Sequence, residues 1–95
     1  MAFPIADTDE IRCAPDVLST EVDAEMVLMH VARRRYYGLD AIGMAIWQRL
    51  GQPMRLADLC AGLAGEYDAD RATIERDVRL LLERMAEEGL IEVTH

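Results

Sequence analysis

The chain changes character at Asp40. Short β-type runs precede that position, and three segments with helical periodicity follow it. A 95-residue chain has room for one domain, since a second core would need roughly 50 residues more. At 52% apolar and 29% charged, it can bury a modest core and is not a disordered tail. The expected fold class is therefore α+β: a three-stranded antiparallel sheet followed by three helices, in a winged helix-turn-helix arrangement.

The strands read as Val17 to Val22, Met26 to Val31 and Arg34 to Leu39, with turns at Asp23-Ala24 and around Ala32-Arg33. In the third, Arg35, Tyr37 and Leu39 share one face, while Arg34, Tyr36 and Gly38 share the other. Asp40 caps a first helix to about Leu50, with Ile42, Ile46, Trp47 and Leu50 facing inward. Gly43 on that helix points to a close approach by another element. A second helix runs from near Arg55 to Glu66, burying Leu56, Leu59, Cys60 and Leu63. The third spans Arg71 to Glu88, capped by Asp70 and ended by Gly89, with Ile74, Val78, Leu81, Leu82 and Met85 inward. Leu90 to Val93 returns as an extended segment. Residues 1–10 read as a loosely held arm on a single domain of residues 11–95.

Net charge is −8, with ten Arg and no Lys. Nucleic-acid binding needs cations that displace counterions from phosphate, and the third helix, where duplex readout would sit, is itself net −2. The same balance is wrong for an anionic membrane surface. No apolar run approaches the ~18 residues of a membrane span. The N-terminus lacks the basic and apolar regions of a secretory signal. Cys13 and Cys60 have no metal-ligand spacing and read as reduced thiols of a cytoplasmic protein, with a single bridge as the alternative. His30 and His95 stand apart from each other and from any nucleophile motif, so neither an enzyme nor a cofactor is expected.

Three features bear on binding. Arg33, Arg34 and Arg35 are the dense basic cluster; they either discourage uncontrolled pairing at an edge strand or steer an acidic extended segment onto it, and the two roles are compatible. Tyr37 packs inward with Leu39, while Tyr36 points to the other face. On the third helix Leu80 falls at about 240°, against about 20° for the buried stripe, with Thr73, Asp77 and Arg84 on the same flank. An exposed Leu is ordinary; alternatively this flank walls a groove whose floor is the third strand. Met26, Met29, Met44 and Met85 suit adaptable core filling or a tolerant peptide pocket.

The stretch Tyr37-Gly38-Leu39-Asp40-Ala41-Ile42-Gly43-Met44-Ala45-Ile46-Trp47 resembles the Y-x-L-N-x-x-G-x-x-I-W signature of PqqD-like proteins. The agreement continues through Leu56-Ala57-Asp58-Leu59, Tyr67-Asp68, Asp77-Val78-Arg79-Leu80-Leu81-Leu82 and Glu88-Gly89-Leu90-Ile91. Asp40 stands where Asn is usual, and both cap a helix. PqqD-like proteins are leader-recognition elements for ribosomally made, post-translationally modified peptides. The Tyr-rich third strand and the Ile-Trp pair look most like the stand-alone version of lasso peptide biosynthesis.

The resemblance implies a non-catalytic adaptor that takes the precursor's leader as an extra strand on its third strand, with the third helix as the opposing wall. It implies delivery to a separate transglutaminase-like leader peptidase, with a macrolactam synthetase acting on the released core. On that reading Tyr36, Tyr37, Leu80 and Arg84 contact the leader. Arg34 or Arg35 pairs with its acids, and Arg33, Thr73 and Asp77 complete the surface. The alternatives are a PqqD-type chaperone of another modified peptide or of the pyrroloquinoline quinone pathway, and a homodimeric structural or regulatory winged-helix module.

Overall fold

The structure, a computed structural model, describes residues 5–67 and 70–94. The runs before Asp40 form the expected meander: β2 (Val17–Val22), β3 (Glu25–His30) and β4 (Arg35–Leu39), antiparallel and in that order across the sheet, with β1 (Glu10–Cys13) preceding them. Alternation sets the faces. Met26, Leu28 and His30 of β3 are buried, and their cross-strand partners on β4 are Leu39, Tyr37 and Arg35. Asp23, at φ 57°, makes the first turn; short polar Asp tolerates this left-handed backbone. Arg34 also has positive φ, 54°, and lies in the second turn rather than starting the third strand as the sequence suggested. The turn must reverse the chain within residues 31–34, and Arg34 takes the left-handed step.

Three helices follow: α1 (Ala41–Arg49), α2 (Leu56–Glu66) and α3 (Arg71–Glu87). Asp40 caps α1, its Oδ1 accepting from Gly43 N at 2.9 Å. A Cβ on Gly43 would lie 3.2 Å from that of Leu39, which is the close approach its glycine accommodates. Ile42 corrects the sequence reading: it is 45% exposed. The core stripe of α1 is Gly43, Ile46 and Trp47, continued by Leu50, and Ile42 sits about 90° from its centre. Helix α3 buries Val78, Leu82 and Met85, with Ile74 and Leu81 packed at the margin. It ends in a Schellman turn, Leu90 N donating to Met85 O at 2.9 Å, with Gly89 at φ +75°.

A second sheet departs from the expectation of one. β1 lies between β5 (Met54–Arg55) and β6 (Ile91–Thr94), antiparallel to both. Ile11 is fully buried there and Arg12 pairs with Glu92 across the strands at 2.9 Å. The expected extended return of Leu90 to Val93 is thus a ladder strand.

Of the arm expected over residues 1–10, residues 1–4 lie outside the described residues, and Glu10 begins β1. Between them Ile5 is buried, and the carbonyls of Asp9 and Asp7 accept from Leu56 N and Ala57 N, both at 3.1 Å. Helix α2 has no side-chain cap, so this segment satisfies two of its orphan N–H groups. Positions 68 and 69 of the α2–α3 connection, and His95, also fall outside the described residues. Both sheets and all three helices share one core, centred on Ile11, Leu28, Ile46, Leu59 and Leu82.

Candidate functional site

β4 pairs with β3 on one side; on the other it has no strand partner among the described residues. Alongside this open edge a groove of ≈ 280 Å³ separates β4 from α3. Tyr37, Gly38 and Leu39 line one side; Leu81, Arg84, Met85, Glu87 and Glu88 line the other, with Leu90 at the end. The floor is apolar because Leu39, Met85 and Leu90 are core residues that also reach the groove.

Polar contacts tie β4 to the C-terminus of α3. Tyr37 Oη donates to Glu88 Oε2 at 2.7 Å, and Arg35 Nη1 lies 3.7 Å from the same oxygen. Arg33 Nη1 donates to the Glu87 carbonyl at 3.3 Å, placing a cation where the helix dipole is negative. Gly89 leaves room for this, since a Cβ there would lie 3.1 Å from His30 Nε2 and 3.2 Å from Arg33 Cζ. His30 Nδ1 in turn accepts from Arg33 N at 3.3 Å and orders the turn. The Glu88 hydrogen bond holds the Tyr37 phenol above the usual tyrosine range; desolvation and the carboxylate charge act in the same direction, and Arg35 opposes them.

The residues expected from the sequence to bind fall into four groups. Tyr37 and Arg84 line the groove, and Arg35 and Arg33 stand at its Glu88 end. Leu80 is 57% exposed one turn before Arg84, with Asp77 and Thr73 on successive earlier turns; these three lie outside the cavity, and Asp77 pairs with Arg76 at 3.6 Å. Tyr36, 72% exposed, projects from the opposite face of the sheet, in a cross-strand row with Met29 and Leu18. Arg34 is exposed in the turn. Glu87 and Glu88 are not among the binding residues expected from the sequence. The available signal was spacing: Glu88 follows Arg84 by four residues and shares its helix face.

Neither cysteine is disulfide-bonded: Cys60 is buried in α2, and Cys13 Sγ donates to Leu50 O at 3.3 Å. Among the described residues no three His, Cys, Asp or Glu side chains gather as a metal site. Among the described residues no helix is long and apolar enough to cross a membrane.

The model of one protein family, described as "Coenzyme PQQ synthesis protein D (PqqD)", matches residues 25–91. The chain belongs to the PqqD family. The match starts with β3 and ends at the first residue of β6, so it contains every residue that lines the groove. Two solved structures are similar to this PqqD-family chain. One is TbiB1 in complex with the TbiA(beta) leader peptide: 37% identical, covering 85% of this chain and 94% of that one, TM-score 0.78. The other is a lasso peptide synthetase B1 complexed with the leader peptide: 30% identical, covering 86% and 96%, TM-score 0.74. No curated protein matches the sequence. The family model agrees with the resemblance to PqqD-like proteins, and the two leader-peptide complexes, one of them a lasso peptide synthetase B1, agree with its lasso-type recognition element.

Proposed function

We propose that this chain binds the leader region of a ribosomally made precursor peptide in lasso peptide biosynthesis. The leader joins the sheet as a further strand beside β4, and α3 forms the opposing wall. The carrying observation is the groove between an unpaired strand edge and a helix, in a fold whose two similar structures are complexes with leader peptides. An open edge supplies backbone N–H and C=O groups that pair with any extended chain, and pockets beside it add selectivity. Tyr37 and Arg84 meet the guest from within the groove, Leu80 from its rim, and Thr73 and Asp77 where the guest runs on along α3. Tyr36 flanks it on the outer face, and Arg33, Arg34 and Arg35 attract its acids.

The role is non-catalytic. The bound precursor passes to a separate transglutaminase-like leader peptidase in the cytoplasm, and a macrolactam synthetase closes the released core. The winged helix-turn-helix description belongs to the same reading, with α2 and α3 as the helical pair and β6 as part of the wing. A fluorescein-labelled leader peptide of a lasso precursor tests the proposal. Saturable one-to-one binding, weakened by Leu80→Glu with helical content intact, supports it.

One observation favours a second reading. The row Leu18, Met29 and Tyr36 is an uncharged outer face on which a homodimeric module would pair. Sedimentation of the pure chain as a dimer at micromolar concentration, with no affinity for the leader, would favour that reading instead.

A further inference from the structure

The side chains that α3 presents to the groove recur at an interval suited to an extended peptide. Leu81, then Arg84, then Glu88 mark successive helical turns, with Leu80 on the rim outside the cavity, and three to four helical residues advance ~4.5–6 Å. Two residues of a strand advance ~6.6 Å. A strand added beside β4 turns every second side chain toward the face carrying Arg35, Tyr37 and Leu39, which is the α3 side. Successive inward side chains of the guest therefore meet successive turns of α3.

The cations around the groove are not equivalent. Arg35 is engaged by Glu88 and Arg33 by the Glu87 carbonyl. Arg84 lines the groove, is exposed, and has no ion-pair or hydrogen-bond partner for its guanidinium among the described residues. It is the groove cation free to meet a guest carboxylate. One turn on, Glu87 and Glu88 line the end of the groove; Arg35 engages Glu88 and Arg33 the Glu87 carbonyl, while the Glu87 carboxylate is itself unpaired among the described residues. On the other side of Arg84 the wall is Leu81, with the exposed Leu80 at its rim.

Resting on the leader-binding reading, we infer that the groove selects its guest by charge at alternate positions. The guest carries an apolar side chain over Leu81 and the Leu80 rim, an acidic one opposite Arg84 two residues on, and a basic one at the Glu87 carboxylate two residues further. The acid of the leader is thereby assigned to Arg84 on the helix rather than to the arginine cluster on the turn. The rule is apolar-x-acidic-x-basic along the groove, and it holds for either chain direction of the guest.

Panning phage-displayed random dodecapeptides on the folded full chain tests this. The expected selection is the alternate pattern, forward or reversed. Arg84→Glu should change the central preference from Asp or Glu to Lys or Arg. It should also weaken the best wild-type-selected peptide, labelled with fluorescein, by about tenfold in a polarisation titration. Arg12→Gln, on the second sheet, should change neither. If Arg84→Glu does not fold by circular dichroism, Arg84→Gln serves, losing the acidic preference without gaining a basic one. Peptides that enrich on β4 with no charge rule, or whose rule survives at Arg84 variants, overturn the inference and leave leader capture standing. An absence of any enriched peptide, with the lasso leader also failing to bind, removes both.

Discussion

The meander has two open edges, β2 and β4, and only β4 faces a wall. Both strands lack a second strand partner among the described residues, and both offer the same backbone groups. β2 is exposed over most of its length, its side chains joined to the rest of the fold by a contact such as Gln48 Nε2 to Glu21 Oε1 at 3.0 Å. β4 has α3 alongside it, a groove between them, and a clasp of Tyr37, Arg35 and Glu88 at one end. An edge alone can pair with any extended chain; a helix at the right distance turns that capacity into a site with side-chain preferences. β2 has acidic residues at its margins, Asp16, Asp23 and Glu25, which discourage pairing there.

The largest effect should come from the residue both edges share. Leu28 is fully buried on β3, opposite Ser19 of β2 and Tyr37 of β4. Leu28→Ala should cost about 2–5 kcal/mol in a urea titration, lowering both edges together. A cost below about 0.5 kcal/mol would mean that the edges do not rest on a common core.

Leu80→Glu should weaken leader binding about tenfold in fluorescence polarisation with little change in stability, since Leu80 is exposed. Leu18→Glu, beside the other edge and 58% exposed, should leave that affinity unchanged. Equal losses from the two would erase the distinction between the edges.

The clasp gives a smaller, pH-dependent effect. The Tyr37 phenol holds its proton more tightly in the folded chain, chiefly through Glu88. Its contribution to stability is complete below the unfolded phenol's pKa of ~10 and is lost as pH rises through the raised folded value. Alkaline thermal melts should therefore fall less steeply for Tyr37→Phe than for the parent chain. Identical slopes would remove Tyr37 from the clasp.

The smallest effect expected is in thiol chemistry. Burial raises both cysteine pKa values, with the charge of Glu75 adding to the rise at Cys60. Both thiols should react with a disulfide reagent at pH 8 more slowly in the folded chain than in guanidinium. Bound leader should not change those rates if it docks at β4 without opening the core.

The meander and the helices were legible because each carries its own local signal. The short run from Met26, apolar on both faces apart from His30, suits a strand with neighbours on both edges, and β3 is the central strand; the i, i+3, i+4 stripes of α2 and α3 are local signals that burial reproduces. The second sheet was not legible. β1 is four residues with Ile11 as its one fully buried member, and β5 is two residues long. Their pairing is a long-range fact that no local pattern announces. Ile42 misled because it fits the period of α1, yet the stripe is centred between Gly43 and Trp47.

At the groove, the inward and outward assignment of Tyr37 and Tyr36 followed from strand alternation and matches the register. The roles of Glu87 and Glu88 depend on where α3 stops against the β3–β4 turn, which sequence spacing does not set. The sequence places Arg33 and Arg35 at a strand edge, and the fold engages both with the end of α3.

Amide hydrogen–deuterium exchange, read residue by residue with and without the leader peptide, asks most directly which edge receives the guest. The outward-facing amides of β4 should slow on leader addition while those of β2 exchange as before. Protection on β2, or on neither strand at saturating leader, would contradict strand capture beside α3.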